Sequence, residues 1–284
     1  MNGFLLINKP KGVPSFKCVS VVRKLCNLKK VGFAGTLDPL ASGLMILAIG
    51  EATKLIYMLD GLDKQYEVVV RLGASSTTFD GEGDIFETEN CAVPSLKVVK
   101  DLISAKFMGE RQQMPPKYSA VQINGKRAYQ MARAGDEVLL MPRKVFFRNV
   151  EILDYNYPRL VLRVDCSKGT YIRSLANDLG AELGCGGFVE DLTRTKIGEY
   201  SLGRAMKLDN LRAENIEQNI YTADRFLADK SKIVVDEKLY KKLAQGGFVE
   251  MEGVETDDLA LFENNVVGVL EKKGDLVKFK RKIN

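Results

Sequence analysis

Three segments constrain the fold more than the rest of the chain: KQYEVVVRLG (64–73), KVFFRNVEILDY (144–155) and RLVLRVDCSKG (159–169). Each is dense in β-branched and aromatic residues, which suit the pleated, half-buried surface of a sheet, and the last two read as a pair. GFLLINKP, stopped by Pro10, and LMILAIG read as short buried strands. Helical signals lie between them. Phe16, Val19, Val22 and Leu25 recur every three residues behind Ser15, which the spacing makes an N-cap. A helix is predicted over 53–62, another after the cap Ser95, and a third in TYIRSLANDLGAEL, closed by Gly184. SSTTFDGEGDIFE reads as a turn-rich loop with a short strand. These signals predict a mixed α/β main body with antiparallel strands.

Two stretches differ in texture. Between Gly109 and Lys144, Pro115-Pro116, Asn124-Gly125 and Gly135-Asp136 punctuate short segments bearing tyrosines and basic residues. That stretch reads as an excursion from the core with a short helix near 126–134. From about Thr222, SKIVV, a helix near DEKLYKKLAQ and strands meeting at the turn KKGD predict a small β-rich module.

Composition removes several chemistries. The 284 residues contain no histidine, which excludes Ser-His-Asp and Cys-His catalysis and HExxH zinc sites. Five cysteines without a C-x-x-C pair fit reduced thiols rather than a disulfide framework or zinc knuckle. No apolar run reaches the ~18 residues of a membrane span, and MNGFLLINKPKG reads as a folded strand rather than a leader, so a cytoplasmic location is expected. Any catalysis must come from carboxylates, tyrosines, lysines and arginines. The net charge of +5 is unevenly spread. Residues 1–47 carry seven Lys/Arg against Asp38 alone, and 101–148 carry nine against four acids, whereas 246–265 hold six acids and no basic residue. Separated basic zones fit a polyanion track, or equally the solvated faces of helices.

The stretch VGFAGTLDPLASG (31–43) sets Asp38 among three glycines, directly before Pro39. On local grounds it is a turn; it is also a carboxylate held where glycines let another backbone come close. Arg173, in KGTYIR, stands at a helix start, as a surface cation or as one reaching inward. Tyr66 suits a core or rim position as well as a site. None of these residues identifies a function alone.

Together they do. NKPKG, GTLDPLASG, KQY, MPPKYSAVQINGKRAYQMARAG and CSKGTYIRSLANDLG follow one another in the order and spacing of the TruB-type pseudouridine synthases, and the chain resembles that family over residues 3–200, more weakly beyond. The resemblance implies the pseudouridine synthase fold, a mixed, largely antiparallel sheet flanked by helices. It implies a catalytic domain over 1–228 with an RNA-gripping thumb at about 115–144, and a PUA-like domain over 229–284. The implied reaction is isomerisation of the uridine at position 55, in the T-loop of tRNA, without cofactor or metal. The implied partner is the tRNA T-arm, met by a monomer needing no obligatory protein partner. Asp38 is the implied reactive acid, Arg173 its ionic partner and Tyr66 the active-site tyrosine, with Tyr171 and Leu192 lining the uracil pocket. Lys9 and Pro10 are expected to buttress the Asp38 loop. Lys117, Lys126, Arg127, Arg133, Arg143 and Lys144 would meet phosphates, and Tyr118 and Tyr129 would pack or stack. The family has histidine in GHTG where this chain has Phe33 in GFAG, which keeps a stacking face and loses the polar nitrogens. Two other functions stay open: an RNA-binding, tRNA-folding protein with little catalysis, and a synthase subunit dependent on guide RNA.

Overall fold

A computed structural model of the chain describes residues 1–283 except Ala120 and Asn124, so the turn expected at Asn124-Gly125 lies partly outside the described residues. The strands at the start are β1 (Gly3–Lys9), β2 (Val31–Ala34), β3 (Ser42–Ile49) and β4 (Lys64–Leu72), with helix α1 (Ser15–Cys26) after β1. A hairpin of β5 (Ala74–Ser76) and β6 (Ile85–Glu87) precedes α2 (Leu96–Lys106) and β7 (Gly109–Gln113). The excursion then holds a small hairpin, β8 (Gln122–Ile123) and β9 (Lys126–Arg127), and α3 (Ala128–Ala134). β10 (Arg143–Asn156), β11 (Arg159–Cys166), α4 (Ile172–Glu182), β12 (Gly187–Ile197), β13 (Tyr200–Ser201) and β14 (Met206–Lys207) complete the main body.

Ten of these strands form one mixed sheet in the order β14-β1-β3-β12-β4-β11-β10-β7, with β2 beside β3 and β13 beside β12. Most neighbours are antiparallel; β12 runs parallel to β3 and β1 parallel to β14. The expected α/β class with a mixed, largely antiparallel sheet is what the chain adopts. LMILAIG is continuously apolar because β3 is buried on both faces. Met45, Leu47 and Ile49 enter one core with α1, α2 and α4, while Leu44, Ile46 and Ala48 enter the other. Each large aliphatic side chain so buried contributes about 1.5–3 kcal/mol.

The second core is closed by the C-terminal segment. Short helices α5 (Ala213–Ile216) and α6 (Ala223–Phe226) lead to a five-stranded sheet, ordered β15 (Lys232–Val234), β17 (Leu259–Phe262), β18 (Asn265–Lys273), β19 (Leu276–Lys282), β16 (Val249–Glu250), with α7 (Glu237–Ala244) across it. Leu259, Val266 and Val269 of this module pack with Phe4, Leu6 and Ile46 of the main sheet. Among the described residues no helix is long and apolar enough to cross a membrane.

Three local expectations are corrected. Ser15 begins α1 but does not cap it: Pro14 holds the N-cap position, and the Ser15 hydroxyl donates to the Leu37 carbonyl (2.7 Å) and accepts from the Leu37 amide (2.9 Å). Phe16 does not join the buried stripe but is 58% exposed, because the face of α1 turned to the core carries Cys18, Val19 and Val22. The helix expected over 53–62 is a 3₁₀ segment, Gly50–Leu59. Ser95 does cap α2, accepting from the Val98 amide.

Candidate active site

The Asp38 loop joins β2 to β3 at the middle of the sheet. Its turn is closed by the Ala41 amide donating to the Asp38 carbonyl (3.2 Å), with Pro39 supplying the fixed φ such a turn wants at its second position. Leu37, Leu40 and Ala41 are buried, so the loop is anchored from below while the Asp38 side chain, 38% exposed, stands clear. Four outside groups pin it. Ser15 holds Leu37 as described, and the Gly12 amide donates to the Pro39 carbonyl (2.7 Å). Lys9, fully buried, spends its ammonium on the carbonyls of Pro10 (3.1 Å), Val13 (2.7 Å) and Pro39 (3.3 Å). Burial lowers the Lys9 pKa to about 8, although Asp38 nearby favours its charge. Arg194, on β12, donates to the Gly35 carbonyl (2.9 Å) and the Leu44 carbonyl (2.8 Å).

Arg173 is the second residue of α4, where the positive end of the helix dipole disfavours a cation. Two carboxylates offset that: its Nε lies 2.9 Å from Asp38 Oδ2 and its Nη1 3.3 Å from Asp80 Oδ2. The guanidinium also donates to the carbonyls of Thr78 (3.0 Å) and Tyr118 (2.8 Å), joining the β5–β6 hairpin and the excursion to the site. Asp80 is only 3% exposed and accepts from the Thr78 hydroxyl (2.5 Å) and the Glu82 amide (3.0 Å). One arginine thus serves a buried, fully engaged carboxylate and an accessible one.

Two cavities meet at this ion pair. The first, about 540 Å³, is lined by Asp38, Tyr66, Tyr171, Arg173, Leu192 and Arg194, with Arg143, Lys144 and Lys168 at its basic side. The second, about 680 Å³, shares Asp38 and Arg173 and adds Phe16, Phe33, Tyr118, Tyr129 and Arg133. Phe33 is half-buried and packs against the main core as it lines the second cavity. Burial raises the pKa of Tyr66, opposed by the Arg194 charge, and burial likewise raises Tyr171. Both phenols stay neutral near pH 7. Glu82 is also raised, by burial and then by the negative charges of Asp80 and Asp38.

The excursion leaves the sheet at Gln113 and returns at Arg143, which face each other across β7 and β10. Lys117, Lys126, Arg127 and Arg133 sit on it and are exposed; Arg143 and Lys144 are the first residues of β10, and Lys144 pairs with Glu110 at 3.0 Å. Two residues of the site carry no sequence signal. Asp80 lies in SSTTFDGEGDIFE, which reads only as a turn-rich loop with a short strand, and Arg194 in a segment, GFVEDLTRTKI, whose polar residues hide a central strand.

Residues 23–172 match the N-terminal domain of the TruB family of pseudouridylate synthases, and residues 173–230 match the tRNA pseudouridylate synthase B C-terminal domain. The tRNA pseudouridine synthase B of Clostridium acetobutylicum is 41% identical over 247 residues, covering 87% of this chain and 84% of the relative. That of Pseudomonas fluorescens is 39% identical over 254 residues, 89% of this chain and 82% of the relative. In solved structures, a chain of an H/ACA RNP bound to a substrate RNA containing 2'-deoxyuridine superposes with TM-score 0.72 at 20% identity, covering 99% of this chain and 85% of that one. A chain of a Cbf5-Nop10-Gar1 complex gives 0.71 at 24% identity, covering 99% and 84%. These two likenesses show a shared fold.

Proposed function

The chain belongs to the TruB family of pseudouridylate synthases, and from that premise we propose that it isomerises the T-loop uridine of tRNA, position 55, to pseudouridine, with Asp38 as the reacting carboxylate. The relatives' shared activity makes it an isomerase acting on tRNA. The base leaves the stack, at a cost of a few kcal/mol, and enters the first cavity. There the N1–C1′ bond breaks, the base turns, and C5 bonds to C1′ as the C5 proton leaves and N1 gains one. Reactant and product have the same composition, so no redox partner is consumed.

The observation that carries this reading is the asymmetry around Arg173. Asp80 is buried with its oxygens engaged, while Asp38 is 38% exposed, ion-paired at 2.9 Å and faces both cavities. An ionised carboxylate oriented by a buried cation and open to substrate is what the reaction needs. Tyr66, Tyr171 and Leu192 give the base an apolar slot, and Phe33 fills part of the stack that it vacates. The exposed cations of the excursion and of β10 hold phosphates and position the RNA without reading its sequence.

Tritium release from [5-³H]uridine in a T-arm hairpin tests the proposal with the purified chain alone. Wild type should release tritium in single-turnover excess, and Asp38→Asn should release none measurable while still binding RNA. No release by wild type overturns the reading; release only with added guide RNA and proteins would assign the chain to a guided complex.

A further inference from the structure

The first cavity holds a charge that the roles above leave unmatched. Arg194 is 1% exposed, yet among the described residues no carboxylate forms an ion pair with it, whereas Arg173 has two. Burying a charge costs several kcal/mol unless something compensates it. The surroundings add to the imbalance: burial, and then the Arg194 charge, push the Lys64 ammonium below its ordinary pKa, and Lys64 lines the same cavity. A cavity wall carrying a buried cation without an anion is suited to a ligand on which negative charge develops.

The strand register sets one site side chain beside that cation. On the antiparallel β12–β4 ladder Arg194 stands directly opposite Tyr66, with a bulge between Arg194 and Lys196. The bonds to Leu44 and Gly35 fix the guanidinium, and the Tyr66 hydroxyl lies within its field. A guanidinium only donates, so in any hydrogen bond between the two the phenol oxygen accepts. The phenol proton is then left for another acceptor, and the open side is the cavity.

We propose that Arg194 is a positioning residue: it anchors the Tyr66 oxygen so that the phenol presents its proton to a carbonyl oxygen of the uracil while the base is detached from the sugar. The inference rests on the reading that the first cavity holds the uracil. When the N1–C1′ bond breaks, its electron pair stays with the base and the charge spreads over N1, O2 and O4. The matching deficit on the sugar is met at Asp38. A donated phenol hydrogen bond, strengthened by the cation behind it, stabilises the detached base without moving a proton. Tyr66 acts here as a donor and not as the base that removes a proton, consistent with the raised pKa that burial imposes on it.

A double-mutant cycle on the single-turnover rate of tritium release separates this from a strut that merely supports the Asp38 loop. Tyr66→Phe and Arg194→Met should each slow release about 100-fold with RNA affinity changed less than about 3-fold, and the double variant should lie within about 3-fold of the slower single one. Losses that multiply, or a loss confined to RNA affinity, overturn the assignment. If Arg194→Met does not fold by circular dichroism, Arg194→Lys takes its place in the cycle, with the same coupling expected; if neither folds, Arg194 is a strut and the proposal fails. A wild type that releases no tritium fails at the earlier reading, whereas an active wild type with independent losses fails only at this one.

Discussion

The Asp38 loop and the excursion between Gln113 and Arg143 both border the second cavity, yet they are built in opposite ways. Seven residues of loop are held by Lys9, Gly12, Ser15 and Arg194, each tied to a main-chain group, over buried Leu37 and Leu40. The excursion has a hairpin of two-residue strands, a seven-residue helix and apolar side chains in water, with Leu139 73% and Met141 78% exposed. A reacting carboxylate must be held to a fraction of an ångström, and main-chain anchors supply that. A phosphate grip gains from side chains that adapt. On the function proposed here, the difference separates the part that would perform chemistry from the part that would follow the RNA.

The largest expected effect tests whether the loop's ion pair is also structural. Arg173→Met should lower turnover at least about 1,000-fold and stability by about 3–5 kcal/mol, because it leaves Asp80 buried and unpaired. Adding Asp80→Asn should recover part of the stability, read by urea unfolding, and none of the turnover. Full recovery of both would mean that the arginine only neutralises Asp80. Next comes Gly43, with φ of 108°, whose added Cβ would sit 2.3 Å from the Arg194 carbonyl oxygen. Gly43→Ala should cost about 3 kcal/mol, and a near-neutral result would show that the β3–β12 contact is softer than the loop it supports.

Lys9 gives the comparison a pH dependence. Its pKa falls from 10.5 to about 8 on folding, chiefly through burial, so between those values the unfolded chain binds more protons. Stability should therefore rise as pH climbs from about 8 to 10.5, while activity falls because the neutral amine grips the loop less well. Lys9→Met should show neither pH trend in parallel unfolding and turnover profiles. Phe33→Ala, at the boundary of the two regions, should weaken RNA binding and turnover about 10-fold, in line with the value of one stacked base; unchanged values in both would remove Phe33 from the site. The smallest effect belongs to the excursion. Lys117→Ala with Lys126→Ala should raise the RNA dissociation constant several-fold with turnover intact, and the slope of log affinity against log salt should shrink by about 1 to 2.

Much of this molecule is legible in the chain itself, because its signals are local. β1, β3, β4, β10 and β11 follow from runs and alternation within a few residues, Ser95 caps its own helix, and the Asp38-Pro39 turn needs no partner from elsewhere. The ordered motifs singled out Asp38, Tyr66 and Arg173 before any geometry. What the tertiary structure alone decided depends on distant partners. Ser15 has the chemistry of a cap, but its hydroxyl finds Leu37, 22 residues away. Phe16 has helical spacing, but packing turned another face of α1 inward. Asp80 joins Arg173 only when a hairpin folds over α4, and Arg194 meets Gly35 across 159 residues of chain. A polar side chain's role is set by what lies within about 3 Å of it, and for Ser15, Asp80 and Arg194 that neighbour comes from a distant stretch of the chain.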